Sequence, residues 1–201
     1  MSAEIQSGVP VGLAAAPEPR PASEVDPATP SMLMPLAMLL VRVNHAMVAF
    51  GMVALLAASA VLTSSVVTRY LFKSSTDWQD ETAVFLLVGA TFLCGAFVQS
   101  IRGHIGIEAV SSLLPSTLDR VRLLLVDVLS LCFCALFAWK SWTLLHEAWV
   151  EGYYSATSWA PPLWIPYGLM ALGITLVSLQ FVVQAAASFN AIARPPAGTG
   201  R

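Results

Sequence analysis

Four uncharged or nearly uncharged runs of about 20 residues dominate this sequence, and few patterns restrict a polypeptide more. Roughly 30 Å of hydrocarbon is crossed by about 20 apolar residues as a helix. A lone segment there must satisfy its own N–H and C=O groups, which only a helix does. Ala46 to Val67 carries no ionised group, and Thr82 to Ile101 is uncharged between Glu81 and Arg102. Leu123 to Leu145 is interrupted by Asp127 and Lys140. Gly152 through Ala193 has no charged residue, but its first part is rich in Pro and Trp, so the helix itself is expected from about Pro166 to Asn190. The chain of 201 residues is 57% hydrophobic and only 11% charged, too few charges to cover a soluble domain of this size. The sequence predicts an all-α integral membrane protein of four transmembrane helices, with spans at about 45–68, 82–101, 121–146 and 166–190.

Around this membrane domain, residues 32–190, the sequence predicts two disordered tails. Residues 1–31 hold Pro10, Pro17, Pro19, Pro21, Pro27 and Pro30 among Ala, Ser and Glu, a composition that cannot bury enough apolar surface to offset its ordering entropy. They lack the basic and apolar regions of a secretory signal peptide, and the first span reads as an uncleaved anchor. Residues 191–201 end the chain in Arg194-Pro195-Pro196 and a Gly-rich stretch. Met32 to Val41 is apolar, too short to span and contains Pro35; it is expected to lie along the interface and turn into the first span. Between the second and third spans, Ile105, Ile107, Val110, Leu113 and Leu114 recur near a helical period, with Arg102, His104 and Glu108 on other positions. That pattern predicts a short amphipathic helix in the membrane plane.

The six tryptophans and four tyrosines all fall toward one side of this arrangement, in or near the first and third links. Most arginines fall on the other: Arg20, Arg42, Arg102, Arg120, Arg122, Arg194 and Arg201, against Arg69, Lys73 and Lys140. Short loops rich in Lys and Arg stay cytoplasmic, so seven against three predicts both termini in the cytoplasm.

Arg69-Tyr70 in the first outer link, Trp78-Gln79-Asp80-Glu81 at the second helix, Arg102-Gly103-His104-Ile105 with Glu108, and Ile165-Pro166 at the fourth helix follow one another in order. From about Arg42 to Asn190 this series resembles the small permease subunit of tripartite ATP-independent periplasmic (TRAP) transporters. The acid after the His-Ile pair is Glu108 where that family often has Asp, and the Pro-rich tail lies outside its pattern. The resemblance implies a small subunit that braces a large permease of many spans. It also implies a periplasmic binding protein that delivers an organic acid, and uptake driven by an ion gradient rather than ATP. Substrate and ion sites would then lie in the partners, in a bacterial inner membrane.

Several side chains are candidates for structural or subunit-interface roles. Asp127 lies five residues beyond Arg122, about 8 Å into its helix, and is expected to reach interfacial water or to pair with Arg102 or Arg122. Lys140 is expected to snorkel outward. Trp78 and Glu81 open the second helix as interface anchor and dipole partner, and Glu81 with Arg69 is a candidate lock between the first two helices. His104 with Arg102 and Glu108 is expected to pin the in-plane helix. Trp159, Trp164 and Pro166, like Tyr70, belong to the outer aromatic region, where Trp and Tyr suit a protein contact. Ala90 with Cys94, and Gly89 with Ala96, give the second helix a small-residue face for close packing.

Other functions find little support. No nucleophile–base pair, metal cluster or phosphate loop points to an enzyme, and no Lys/Arg cluster points to nucleic acid. Cys94, Cys132 and Cys134 read as small apolar helix residues; no cofactor is expected. Two alternatives remain from the sequence: a haem- or quinone-associated anchor of a respiratory complex, for which His45 and His104 are the geometrically conceivable pair, and a stand-alone small transporter or channel. Membrane lipid, the large permease and the docking binding protein are the expected partners.

Overall fold

The computed structural model describes residues 29–101 and 116–193. The proposed in-plane helix, with Arg102, His104 and Glu108, and nearly all of both proposed tails lie outside these residues. A 3-10 turn, Ser31–Leu33, leads into α1 (Met34–Phe72), followed by α2 (Asp77–Ser100), α3 (Ser116–Val150) and α4 (Trp164–Ala193). All four helices are long and apolar enough to cross a membrane.

α1 is longer than its predicted span. Its 39 residues run about 58 Å, and Met34 to Val41 is the first part of the same helix rather than a separate interfacial segment. Pro35 explains the continuity: it sits in the first turn, where its missing N–H has no intrahelical acceptor to lose. At the far end Lys73 adopts a left-handed conformation (φ 49°) and stops the helix. After Ser74 and Ser75, the Thr76 carbonyl accepts the N–H groups of Gln79 (3.0 Å) and Asp80 (3.1 Å), which starts α2.

The helices form an open layer in the order α1–α2–α4–α3. Extensive packing joins α1 to α2, α2 to α4 and α4 to α3. α1 meets α4 only lightly, where Ala37 and Leu40 pack on Val183. The sequence left a bundle and a splayed layer equally open; close approach of particular backbones decides for the layer. A Cβ at Gly173 on α4 would collide with the Phe92 carbonyl on α2, and one at Gly51 on α1 would collide with the Cys94 sulfur on α2. Hydrocarbon solvates apolar side chains as well as another helix does, so such small-residue contacts supply the van der Waals gain of association. The small face foreseen on α2 therefore packs within the chain, with Ala90 and Ala96 buried.

α3 shows the same logic in another form. Asp127, Cys134, Ser141 and Ala148 are all buried and recur every seven residues, the repeat of a seam between two nearly antiparallel helices. Its remaining faces are open: Leu129, Phe133 and Leu136 are 68%, 70% and 65% exposed. Exposed apolar surface of this extent on every helix requires lipid or another membrane protein around the layer.

Candidate functional site

Polar and aromatic side chains gather at the two ends of the layer. At the end holding the α1–α2 turn, the Arg69 guanidinium donates to the Thr76 hydroxyl (2.7 Å) and to the Asp80 carboxylate (2.6 Å), and the Ser65 hydroxyl donates to the other Asp80 oxygen at 2.9 Å. The lock between the first two helices is therefore made by Asp80, and the expected pairing of Arg69 with Glu81 is corrected. Consecutive helical residues point about 100° apart, so Asp80 faces α1 while Glu81 turns toward the α3–α4 link. There Glu81 accepts a hydrogen bond from the Ser155 hydroxyl. Arg69 and Asp80 are 63% and 46% exposed, so their attraction is screened and contributes at most about 1 kcal/mol. Tyr70 and Trp78 project outward, 85% and 51% exposed.

The α3–α4 link is a structured hairpin. Gly152 takes a left-handed conformation (φ 66°), and the Tyr153 N–H returns to the Ala148 carbonyl (3.1 Å), a glycine-terminated helix end. Beyond it, Ser155 N–H bonds the Pro161 carbonyl (3.0 Å), Leu163 N–H bonds the Tyr153 carbonyl (2.9 Å), and Tyr154 bridges Pro162. Trp159 sits in the turn, half-exposed, next to Ala160, whose φ of 44° is strained for a residue with a Cβ. At the base, Trp164 meets Trp149 edge to face, with centroids 5.0 Å apart, and Pro166 is buried in the first turn of α4. The Tyr153 hydroxyl donates to Glu151 (2.5 Å); that bond and the Glu151 charge raise the phenol's pKa above its ordinary value. The Ser155–Glu81 bond ties this hairpin to α2, so the two aromatic links form one surface.

At the opposite end, α4 carries a ladder that sequence reasoning missed. Gln180, Gln184 and Ser188 recur every four residues and so share one face. Each rung reaches a different helix. Asn44 of α1 lies at the edge of hydrogen-bond reach of Gln180 (3.5 Å). Gln99 of α2 donates to the Gln184 side chain and accepts from it at its backbone carbonyl, both at 2.8 Å. Ser188 donates to Asp127 of α3 at 2.8 Å. Asn44, Gln99, Gln184 and Asp127 are all buried, so of the two placements expected for Asp127 the structure rules out interfacial water: the residue sits inside the α3–α4 seam. The signal was legible: Gln180, Gln184 and Ser188 stand at helical spacing in a helix that carries no charged residue.

The other candidates stand apart. His45 engages the Val41 carbonyl of its own helix (2.8 Å) and packs edge-on against Phe97, while His146 is exposed toward the other end of the layer. Lys140 is exposed on α3 between Trp139 and Trp142, and the Trp142 indole donates to Thr175 of α4 at 3.0 Å.

Compared with known proteins, residues 58–191 match the sequence profile of tripartite ATP-independent periplasmic transporters, DctQ component. A curated protein of Vibrio cholerae, the C4-dicarboxylate TRAP transporter small permease protein DctQ, is 24% identical over 147 residues. The aligned part is 62% of this chain and 63% of that relative's length. No solved structure matches the chain.

Proposed function

Because the chain belongs to the DctQ family of TRAP transporter components, we propose that it is the small membrane subunit of an ion-gradient-driven uptake transporter for organic acids. In this reading it braces a large permease, onto whose outer face a periplasmic binding protein delivers the substrate. The relative named above handles C4-dicarboxylates, which makes a small dicarboxylate the first substrate to test. The chain is a multi-pass protein of the bacterial inner membrane.

The observation that carries the bracing role is the open layer itself. Its buried polar groups bond across neighbouring helices in the ladder, while its faces are broad and apolar. Such an object is suited to stiffening a partner, not to carrying a solute alone. We place both termini in the cytoplasm with the Gln99–Gln184 end, on the seven-to-three distribution of Lys and Arg. The hairpin and the Arg69–Asp80 lock then face the periplasm. The link at 102–115 is proposed as an in-plane helix on the cytoplasmic side, with His104 between Arg102 and Glu108.

Co-expression with a candidate large permease tests the proposal. The two are expected to co-purify, and gradient-driven dicarboxylate uptake into cells is expected to vanish when this chain is deleted. Uptake indifferent to the deletion, or uptake by this chain alone in liposomes, would reject the bracing role. Orientation is read separately by replacing the three native cysteines and labelling Gly103→Cys, which should react only after the membrane is opened.

A further inference from the structure

We propose that α3 and α4 form a binding site for one anionic phospholipid, with Lys140 holding the phosphate and a groove beside it holding an acyl chain. The groove, about 580 Å³, is apolar and is lined in part by Leu129, Phe133 and Leu136 of α3 and by Phe181 of α4. On α3, Leu129, Phe133, Leu136 and Lys140 are spaced four, three and four apart, so they share one helix face. Apolar side chains thus lead directly to a single ammonium group.

Length and charge both select a lipid. Leu129 and Lys140 are eleven residues apart, about 16 Å along the helix, close to half of the roughly 30 Å hydrocarbon thickness. A chain lying in the groove from Lys140 to Leu129 therefore spans one leaflet. Trp139 and Trp142 flank the lysine, 74% and 46% exposed, and such rings mark the headgroup level. No acid of the described residues pairs with Lys140. An ammonium on an apolar face draws in an anion, and its flexible stem lets it follow a phosphate at the surface. Among the described residues α3 is an edge helix whose extensive packing is against α4, and Leu129, Phe133 and Leu136 on this face are exposed.

The leaflet, here the outer one, rests on the orientation proposed above; the lipid preference does not, and the test reads the preference alone. The full-length protein is placed in nanodiscs of equal phosphatidylglycerol and phosphatidylethanolamine, released, and weighed with its retained lipids by native mass spectrometry. The wild type should retain phosphatidylglycerol preferentially. Lys140→Gln should lower that preference about fivefold, the effect of one cation at a membrane surface. Lys140→Arg should keep it, and Phe133→Ala should shorten retention of both lipids without changing the preference. Lys73→Gln, outside the groove, should change neither. Equal preference in wild type and Lys140→Gln, or loss that arginine does not restore, would overturn the site. So would carbodiimide coupling of Lys140 to a carboxylate of a co-purified protein, which would give this face to a protein neighbour.

Discussion

At the scale of single residues, the ladder on α4 and the glycines beneath it make the sharpest demands. Gln99 and Gln184 exchange two hydrogen bonds away from water. Membrane interhelical hydrogen bonds average about 0.6 kcal/mol and reach about 1.7. Gln184→Leu loses two of them, so its cost is expected near the upper figure, read as a lower thermal midpoint in detergent. The double change Gln99→Leu with Gln184→Leu should recover part of that loss, because the Gln99 amide that donated to Gln184 is then gone along with its acceptor. Gly173→Val forces a side chain into the Phe92 carbonyl and is expected to destabilise by about 1–3 kcal/mol or more, by the same measurement. Arg69→Gln, at an exposed pair, should change stability by no more than about 1 kcal/mol.

At the scale of elements, the hairpin between α3 and α4 combines a tight backbone with an exposed indole. Ala160 holds a left-handed conformation that costs an L-residue about 1–2 kcal/mol. Ala160→Gly should therefore stabilise the hairpin slightly, by less than that amount because glycine also frees the unfolded chain. Trp159→Ala removes surface without touching the hairpin's backbone bonds; if this tip meets a partner, insertion stays intact while complex recovery and uptake fall. The Tyr153–Glu151 bond gives the hairpin a pH signature. A raised phenol pKa keeps the bond through and above the ordinary tyrosine range, and the bond is lost as pH climbs through the raised value. Glu151→Gln should move the Tyr153 titration, followed by ultraviolet difference absorbance, back toward lower pH.

Across the whole molecule, the order α1–α2–α4–α3 is the property with the widest consequences, because it leaves two faces and two edge helices for the surroundings. It predicts which helices can be joined. Cysteines at Gly89 and Leu169, whose positions already touch across α2 and α4, should cross-link readily in native membranes. Pairs placed at matching depth on α1 and α3 should not. A closed bundle would reverse part of that result. The same openness explains why so many large apolar side chains remain uncovered by the chain's own helices.

Hydropathy determined a good deal unaided. A span is a local sum, so four transmembrane helices, the small-residue face of α2 and the concentration of aromatic rings in the first and third links could all be read residue by residue. Pro35 misled because a proline was read as a break, although in a first turn it is harmless. Arg69 had two acids within reach, Asp80 and Glu81, and only the phase of α2 chose between them. The tertiary structure alone decided which helices are neighbours, why Asp127 is buried, and that Glu81 serves the distant Ser155. Within a bilayer, burying one more leucine favours no particular partner helix. The choice falls to close backbone approaches and to hydrogen bonds between residues such as Gln99 and Gln184, which lie 85 positions apart.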